Sequence, residues 1–122
     1  MCLLYSLKIF CWKRGHAQRV QVPDGSVTEL TTVLNTETTA DEINAAFKAA
    51  FSDTDYYGYN DEGIVSSDIL GDTHGGVFDP TQTDVNTIDG VTLARTVSFY
   101  DNEYGFTSNM IRTLLYFAEI SE

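Results

Sequence analysis

The stretch from residue 98 to 106 reads Ser-Phe-Tyr-Asp-Asn-Glu-Tyr-Gly-Phe and places polar side chains between an alternating apolar run and a helical one. Within it, Asn102 carries an amide group that donates and accepts hydrogen bonds, which makes it complementary to a carboxamide. Asparagine just before a helix is also a favoured N-cap residue, so both roles stay open. This segment is therefore a candidate polar binding corner.

Arg19 is a second candidate, because a guanidinium keeps its charge and can meet a phosphate with two hydrogen bonds. Its alternative role is an ion pair with one of the many acidic residues, and the residues alone favour that alternative. The acidic residues have no His or Cys partners, and the loop from residue 53 lacks the Glu that ends a calcium-binding loop. No metal site is predicted.

Several elements must position these side chains. Thr39 and Glu42 form a capping box, and apolar residues at helical spacing follow it, which predicts a helix ending near Ser52. Residues 26 to 34 are rich in Val, Thr and Leu and predict a strand, and residues 20 to 22 should end another. Residues 84 to 88 and 91 to 100 flank Asp89-Gly90, which predicts a hairpin with a type I′ turn.

Strand 91 to 100 alternates apolar and polar residues, so one of its faces should be buried. A final helix over roughly residues 104 to 120 carries a broad apolar stripe of Met110, Ile111, Leu114, Leu115, Phe117 and Ala118. The order of elements predicts an α+β domain.

Four segments, taken together, resemble the glyceraldehyde-3-phosphate dehydrogenase family. Besides Tyr-Asp-Asn-Glu at 100 to 103, these are Gly-His-Ala-Gln-Arg-Val at 15 to 20, Val-Ser-Ser-Asp-Ile-Leu-Gly-Asp-Thr-His-Gly at 65 to 75, and Asp-Pro-Thr-Gln-Thr at 79 to 83. The segment at 15 to 20 resembles the strand that carries the family's substrate-phosphate arginine. The segment that begins at residue 65 resembles the family's Ser-Ser-Asp strand, and the segment at 79 to 83 resembles the strand after that. The resemblance implies the family's catalytic-domain fold, a largely antiparallel mixed sheet with helices on one face.

The resemblance also implies roles for individual residues. Arg19 would bind the substrate phosphate, Asn102 would hold the nicotinamide carboxamide of NAD, and Phe106 would stand where the family usually has a hydroxylated aromatic beside that ring. The implied parent is a cytoplasmic homotetramer of glycolysis that oxidises glyceraldehyde 3-phosphate, with NAD and inorganic phosphate, to 1,3-bisphosphoglycerate.

The family's cysteine nucleophile in Ser-Cys-Thr-Thr-Asn and its Gly-rich dinucleotide turn do not occur among these 122 residues. We therefore expect a truncated catalytic domain that is inactive by itself, has no catalytic residue and associates with itself. The alternative is a noncatalytic acidic interaction module that docks on intact dehydrogenase subunits.

The net charge of the chain narrows the range of partners. All eighteen acidic residues lie at or after Asp24 and only four basic residues follow Gly15, so residues 15 to 122 carry a net charge of −14. Such a surface repels phosphate backbones and anionic lipids, which argues against nucleic acid and membrane partners.

Residues 1–14 resemble no part of the family and form a separate head, disordered or read from a shifted frame, before the family-like region 15–122.

Overall fold

The computed structural model describes residues 9–10, 21–22 and 24–121 of the chain. The described elements are β1 (Ile9–Phe10), β2 (Ser26–Leu34), α1 (Ala40–Phe51), β3 (Gly58–Tyr59), β4 (Val77–Ile88), β5 (Val91–Tyr100) and α2 (Tyr104–Glu119). Five strands form one sheet in the order β1-β2-β5-β4-β3. Its pairs are antiparallel except for β3 with β4. The predicted α+β class and its largely antiparallel mixed sheet are confirmed.

The capping box fixes the start of α1 as predicted. The Thr39 hydroxyl accepts a hydrogen bond from the Glu42 amide at 3.3 Å, and the Glu42 carboxylate accepts one from the Thr39 amide at 3.0 Å. These contacts satisfy two backbone donors that a helix start leaves open. The hydrogen bond from the Thr39 amide is also the largest of the causes that lower the pKa of Glu42.

The hairpin between β4 and β5 is also confirmed. Asp89 and Gly90 have φ angles of 51° and 78°, the positive values that a type I′ turn requires. β4 begins earlier than predicted, at Val77, and its pairing with β5 is irregular between Asp79 and Asp84. This irregularity accommodates Pro80, which has no amide to donate to the ladder.

The apolar core is divided between the two faces of the sheet, so the prediction of one buried face on β5 is only half right. Val97 and Phe99 pack with three residues from outside β5 on one face, namely Ile64, Ile69 and Val77. Ala94 packs on the opposite face with Leu34 and with Ile43 of α1. Leu93, on the face of Val97, is 42% exposed and is not part of that core cluster.

Residues 65 to 75 form successive turns, so their prediction as a strand is wrong. The Asp68 amide donates to the Val65 carbonyl at 2.9 Å, and the Val65 amide donates back to the Asp68 carboxylate at 2.9 Å. These local bonds compete with strand pairing, a known property of aspartate. The predicted strand end at residues 20 to 22 is not observed at Gln21 and Val22, and residue 20 lies outside the described residues.

Helix α2 has the predicted bounds within one residue, but its apolar stripe faces solvent. Gly105 is buried against the carbonyl of His74, and Arg112 donates to the carbonyl of Thr73 at 2.8 Å. The side of α2 that meets the rest of the chain is therefore small and polar. Leu114 and Leu115 are 61% and 60% exposed, which leaves an unpartnered apolar surface among the described residues.

Within the part of the chain that the structure describes, neither helix combines the length and the hydropathy that a bilayer crossing requires.

Candidate functional site

The polar corner forms where the start of β2 meets the end of β5. The register places Ser26 opposite Tyr100, so the residues just before Ser26 lie beside those just after Tyr100. Asp24 and Asn102 meet in this way although they are 78 positions apart in the chain. The corner is therefore held by the antiparallel ladder between β2 and β5, and α2 starts from it.

Asp101 is the structural centre of the corner and is 2% exposed. One of its carboxylate oxygens accepts hydrogen bonds from the amides of Glu103 at 2.9 Å and Tyr104 at 2.7 Å, and the other accepts from the Gly71 amide at 2.9 Å. These bonds lower the pKa of Asp101, with the Gly71 amide as the largest cause. Asp101 thus accepts from the first amide of α2 and ties the start of the helix to the turn at Gly71.

The alternative role of Asn102 as the helix cap is therefore wrong. Glu103 holds the N-cap position of α2, where no side-chain cap hydrogen bond forms, and the Asn102 side chain makes other contacts. Its Oδ1 accepts a hydrogen bond from the Ser26 hydroxyl at 2.7 Å, and its Nδ2 donates to the Asp24 carboxylate at 3.2 Å. Asn102 is exposed, and an amide can form more bonds than these two.

Three carboxylates converge at the corner, which the sequence reasoning missed. Oxygens of Asp24, Asp101 and Glu103 all lie within 4.8 Å of one another. The pKa of Glu103 is raised, first by repulsion from Asp24 and then by burial, with repulsion from Asp101 adding to it. Acidic groups often cluster in this way without a cation, so the cluster carries no metal assignment. No sequence signal links Asp24 to the other two, because only the strand register brings them together.

The two other predicted site residues differ in what the structure says of them. Phe106 lies in the first turn of α2 with 72% of its surface exposed, so its ring is available for stacking. Phenylalanine has no hydroxyl group for a polar contact with a ligand. Arg19 lies outside the described residues, so its phosphate role stays a prediction.

A shallow cavity of about 390 Å³ lies away from these residues, at the end of α1. Its lining includes Lys48, Phe51, Tyr57, Tyr59 and His74. Two of its polar side chains are paired with carboxylates: Lys48 with Asp61 at 3.6 Å, and His74 with Asp72 at 2.8 Å. The cavity includes none of the predicted site residues.

Comparison with known proteins agrees with the fold. Residues 12–102 match the family described as glyceraldehyde 3-phosphate dehydrogenase, C-terminal domain. The matched span includes the positions of Arg19 and Asn102 and ends before Phe106. The sheet and the match together define the C-terminal domain of a dehydrogenase. The chain belongs to the glyceraldehyde-3-phosphate dehydrogenase family.

Individual relatives support the same assignment. The chain is 55% identical over 106 residues to the glyceraldehyde-3-phosphate dehydrogenase of Lactobacillus delbrueckii subsp. bulgaricus, an alignment covering 87% of this chain and 31% of the relative. It is 53% identical over 108 residues to that of Streptococcus pyogenes serotype M1, covering 88% of this chain and 32% of the relative. The chain therefore spans about a third of the length of these curated relatives. These similarities do not favour the alternative of a noncatalytic docking module.

Proposed function

We propose that this chain supplies the nicotinamide-contacting and phosphate-contacting part of an NAD-dependent, phosphorylating glyceraldehyde-3-phosphate dehydrogenase. The observation that carries the proposal is the Asn102 side chain, which is exposed at the corner and held by Ser26 and Asp24. The substrates of this dehydrogenase would be glyceraldehyde 3-phosphate and inorganic phosphate, and its product would be 1,3-bisphosphoglycerate. NAD, when bound, accepts the hydride removed from the aldehyde.

The corner fits the carboxamide end of this coenzyme. Each amide group of the Asn102 type has two N–H donors and two acceptor positions, and Ser26 and Asp24 use one of each. One donor and one acceptor are left, which is what a second amide needs to form a pair of hydrogen bonds. Phe106 adds an exposed apolar ring close by in the chain.

The exposed face of α2 supports the idea that the chain works with further protein surface. Apolar side chains about half exposed or more follow one another along the helix, among them Met110, Ile111, Leu114, Leu115 and Phe117. Contiguous apolar patches of this kind are typical of surfaces that bind protein. In the family this domain packs against the coenzyme domain and neighbouring subunits. We propose the same for this chain, with a homotetrameric, cytoplasmic parent and self-association of the chain alone.

A chimaera tests the proposal. Residues 15–122 of this chain would replace the matching third of the Lactobacillus relative, which contributes all the remaining residues. We expect a folded enzyme that reduces NAD with glyceraldehyde 3-phosphate and phosphate. Asn102→Ala should raise the KM for NAD, and Arg19→Ala should raise the KM for the aldehyde.

Asn86→Ala is the matched control, because Asn86 is an exposed asparagine on β4 outside the corner. A chimaera that folds and binds NAD normally after Asn102→Ala would contradict the proposal.

A further inference from the structure

Asn102 is held at its two polar atoms by two different residues of one short segment. The Ser26 hydroxyl lies 2.7 Å from Oδ1, and the Asp24 carboxylate lies 3.2 Å from Nδ2. Ser26 is the first residue of β2, fixed opposite Tyr100 by the ladder with β5, and Asp24 lies two residues before it. The same Asp24 oxygen also accepts from the Gly25 amide at 2.6 Å, which restrains its position.

These contacts allow only one orientation of the amide. An ionised carboxylate can accept hydrogen bonds but cannot donate them, so the atom of Asn102 that faces Asp24 must be the nitrogen. Turning the amide by 180° would place Oδ1 against the carboxylate, two acceptors with no hydrogen between them. The Ser26 hydroxyl can donate or accept, so it holds the amide in place by donating to Oδ1, while Asp24 decides which end of the amide faces which partner.

We propose that Asp24 and Ser26 are positioning residues that set the orientation of the Asn102 amide towards a carboxamide ligand. The inference rests on the proposed function and extends it. With its orientation fixed, Asn102 offers one N–H and one lone pair in a defined arrangement, and a carboxamide can pair with both. A carboxylate in the same place can only accept, and it would also stand close to Asp24, Asp101 and Glu103. The corner should therefore select the carboxamide over the carboxylate.

The first experiment follows the side-chain amide of Asn102 by ¹⁵N NMR in the full chain. Ser26→Ala and Asp24→Ala should each shift its two N–H signals, because each variant removes one hydrogen-bond partner. Ser26→Thr keeps the hydroxyl and should restore the signals towards those of the wild type. Thr28→Ala, on the same strand, is the control and should leave them in place. Unchanged Asn102 signals in both Ser26→Ala and Asp24→Ala would overturn the inference.

The second experiment adds nicotinamide and, separately, nicotinate to the same samples. Nicotinamide should move the Asn102 signals of the wild type, and Ser26→Ala should weaken that binding about fivefold, the effect of losing one ordinary hydrogen bond. Equal shifts with nicotinate would overturn the proposed selectivity. A wild-type chain that binds neither compound would contradict the proposed function, while the variant spectra would still decide whether Asp24 and Ser26 orient Asn102.

Discussion

Replacement of Gly105 by alanine tests how closely α2 lies against the rest of the chain. A Cβ atom at Gly105 would stand 2.5 Å from the carbonyl oxygen of His74. Separations below 3.0 Å are essentially never seen for real Cβ atoms, so helix and loop would have to move apart by about half an ångström. The atom in the way belongs to the backbone, so no side-chain rotation relieves the contact.

Two effects of opposite sign determine the magnitude. Alanine in place of glycine in a helix normally stabilises by up to about 1 kcal/mol. Forcing an extra carbon into a well-packed contact costs about 1–3 kcal/mol. We expect the steric cost to exceed the gain in helix propensity, with a net loss of about 1 kcal/mol in the free energy of unfolding. For a chain of this size that corresponds to a fall in Tm of about 4 °C.

The assay is thermal and urea unfolding followed by circular dichroism, with Gly76→Ala as the matched control. A Cβ at Gly76, which is also buried, would have the Phe99 carbonyl oxygen at 3.8 Å as its nearest neighbour, an ordinary contact. The control should therefore change the free energy of unfolding by no more than about 0.5 kcal/mol. If Gly105→Ala raised the Tm instead, the gain in helix propensity would exceed the steric cost, and the close packing of α2 on the His74 loop would be refuted.

Four further outcomes are expected. Thr39→Ala should lower the free energy of unfolding by about 1 kcal/mol, because it removes the α1 cap. Thr38→Ala removes only an exposed side-chain hydrogen bond to Glu42 and should lower it much less. Urea unfolding of the two variants measures both effects. Glu103→Gln should raise the Tm at neutral pH, because it removes the charge that Asp24 repels. Since the folded-state pKa of Glu103 is raised, the gain in Tm should shrink as pH falls through that pKa and vanish below the ordinary value of 4.5. Equal gains in Tm at pH 4 and pH 8 would contradict this. Leu114→Gln should leave the Tm within about 2 °C and reduce self-association in light scattering, since this side chain is 61% exposed. The purified chain alone should not reduce NAD with glyceraldehyde 3-phosphate above a no-protein control, because the Ser-Cys-Thr-Thr-Asn segment that carries the family's nucleophile does not occur in these 122 residues.

Local chemistry made part of this fold predictable from the sequence. The capping box of α1 depends on two residues three positions apart, and the type I′ turn depends on Asp89 and Gly90 alone. In both cases the atoms that interact are neighbours in the chain, so their pattern is visible without a tertiary structure. The same is true of Asn102 as a candidate, since its amide chemistry and its place before α2 can be read directly.

The contacts that decide how the corner works are different in kind. Asp101 joins the start of α2 to the turn at Gly71, whose amide lies 30 positions away in the chain. Asp24 and Ser26 orient Asn102 only because the register of β2 on β5 brings them together. The outward turn of the apolar face of α2 follows from the close approach of Gly105 to His74. Sequence periodicity shows that a helix has an apolar side, but only the tertiary contacts decide which side the chain itself buries.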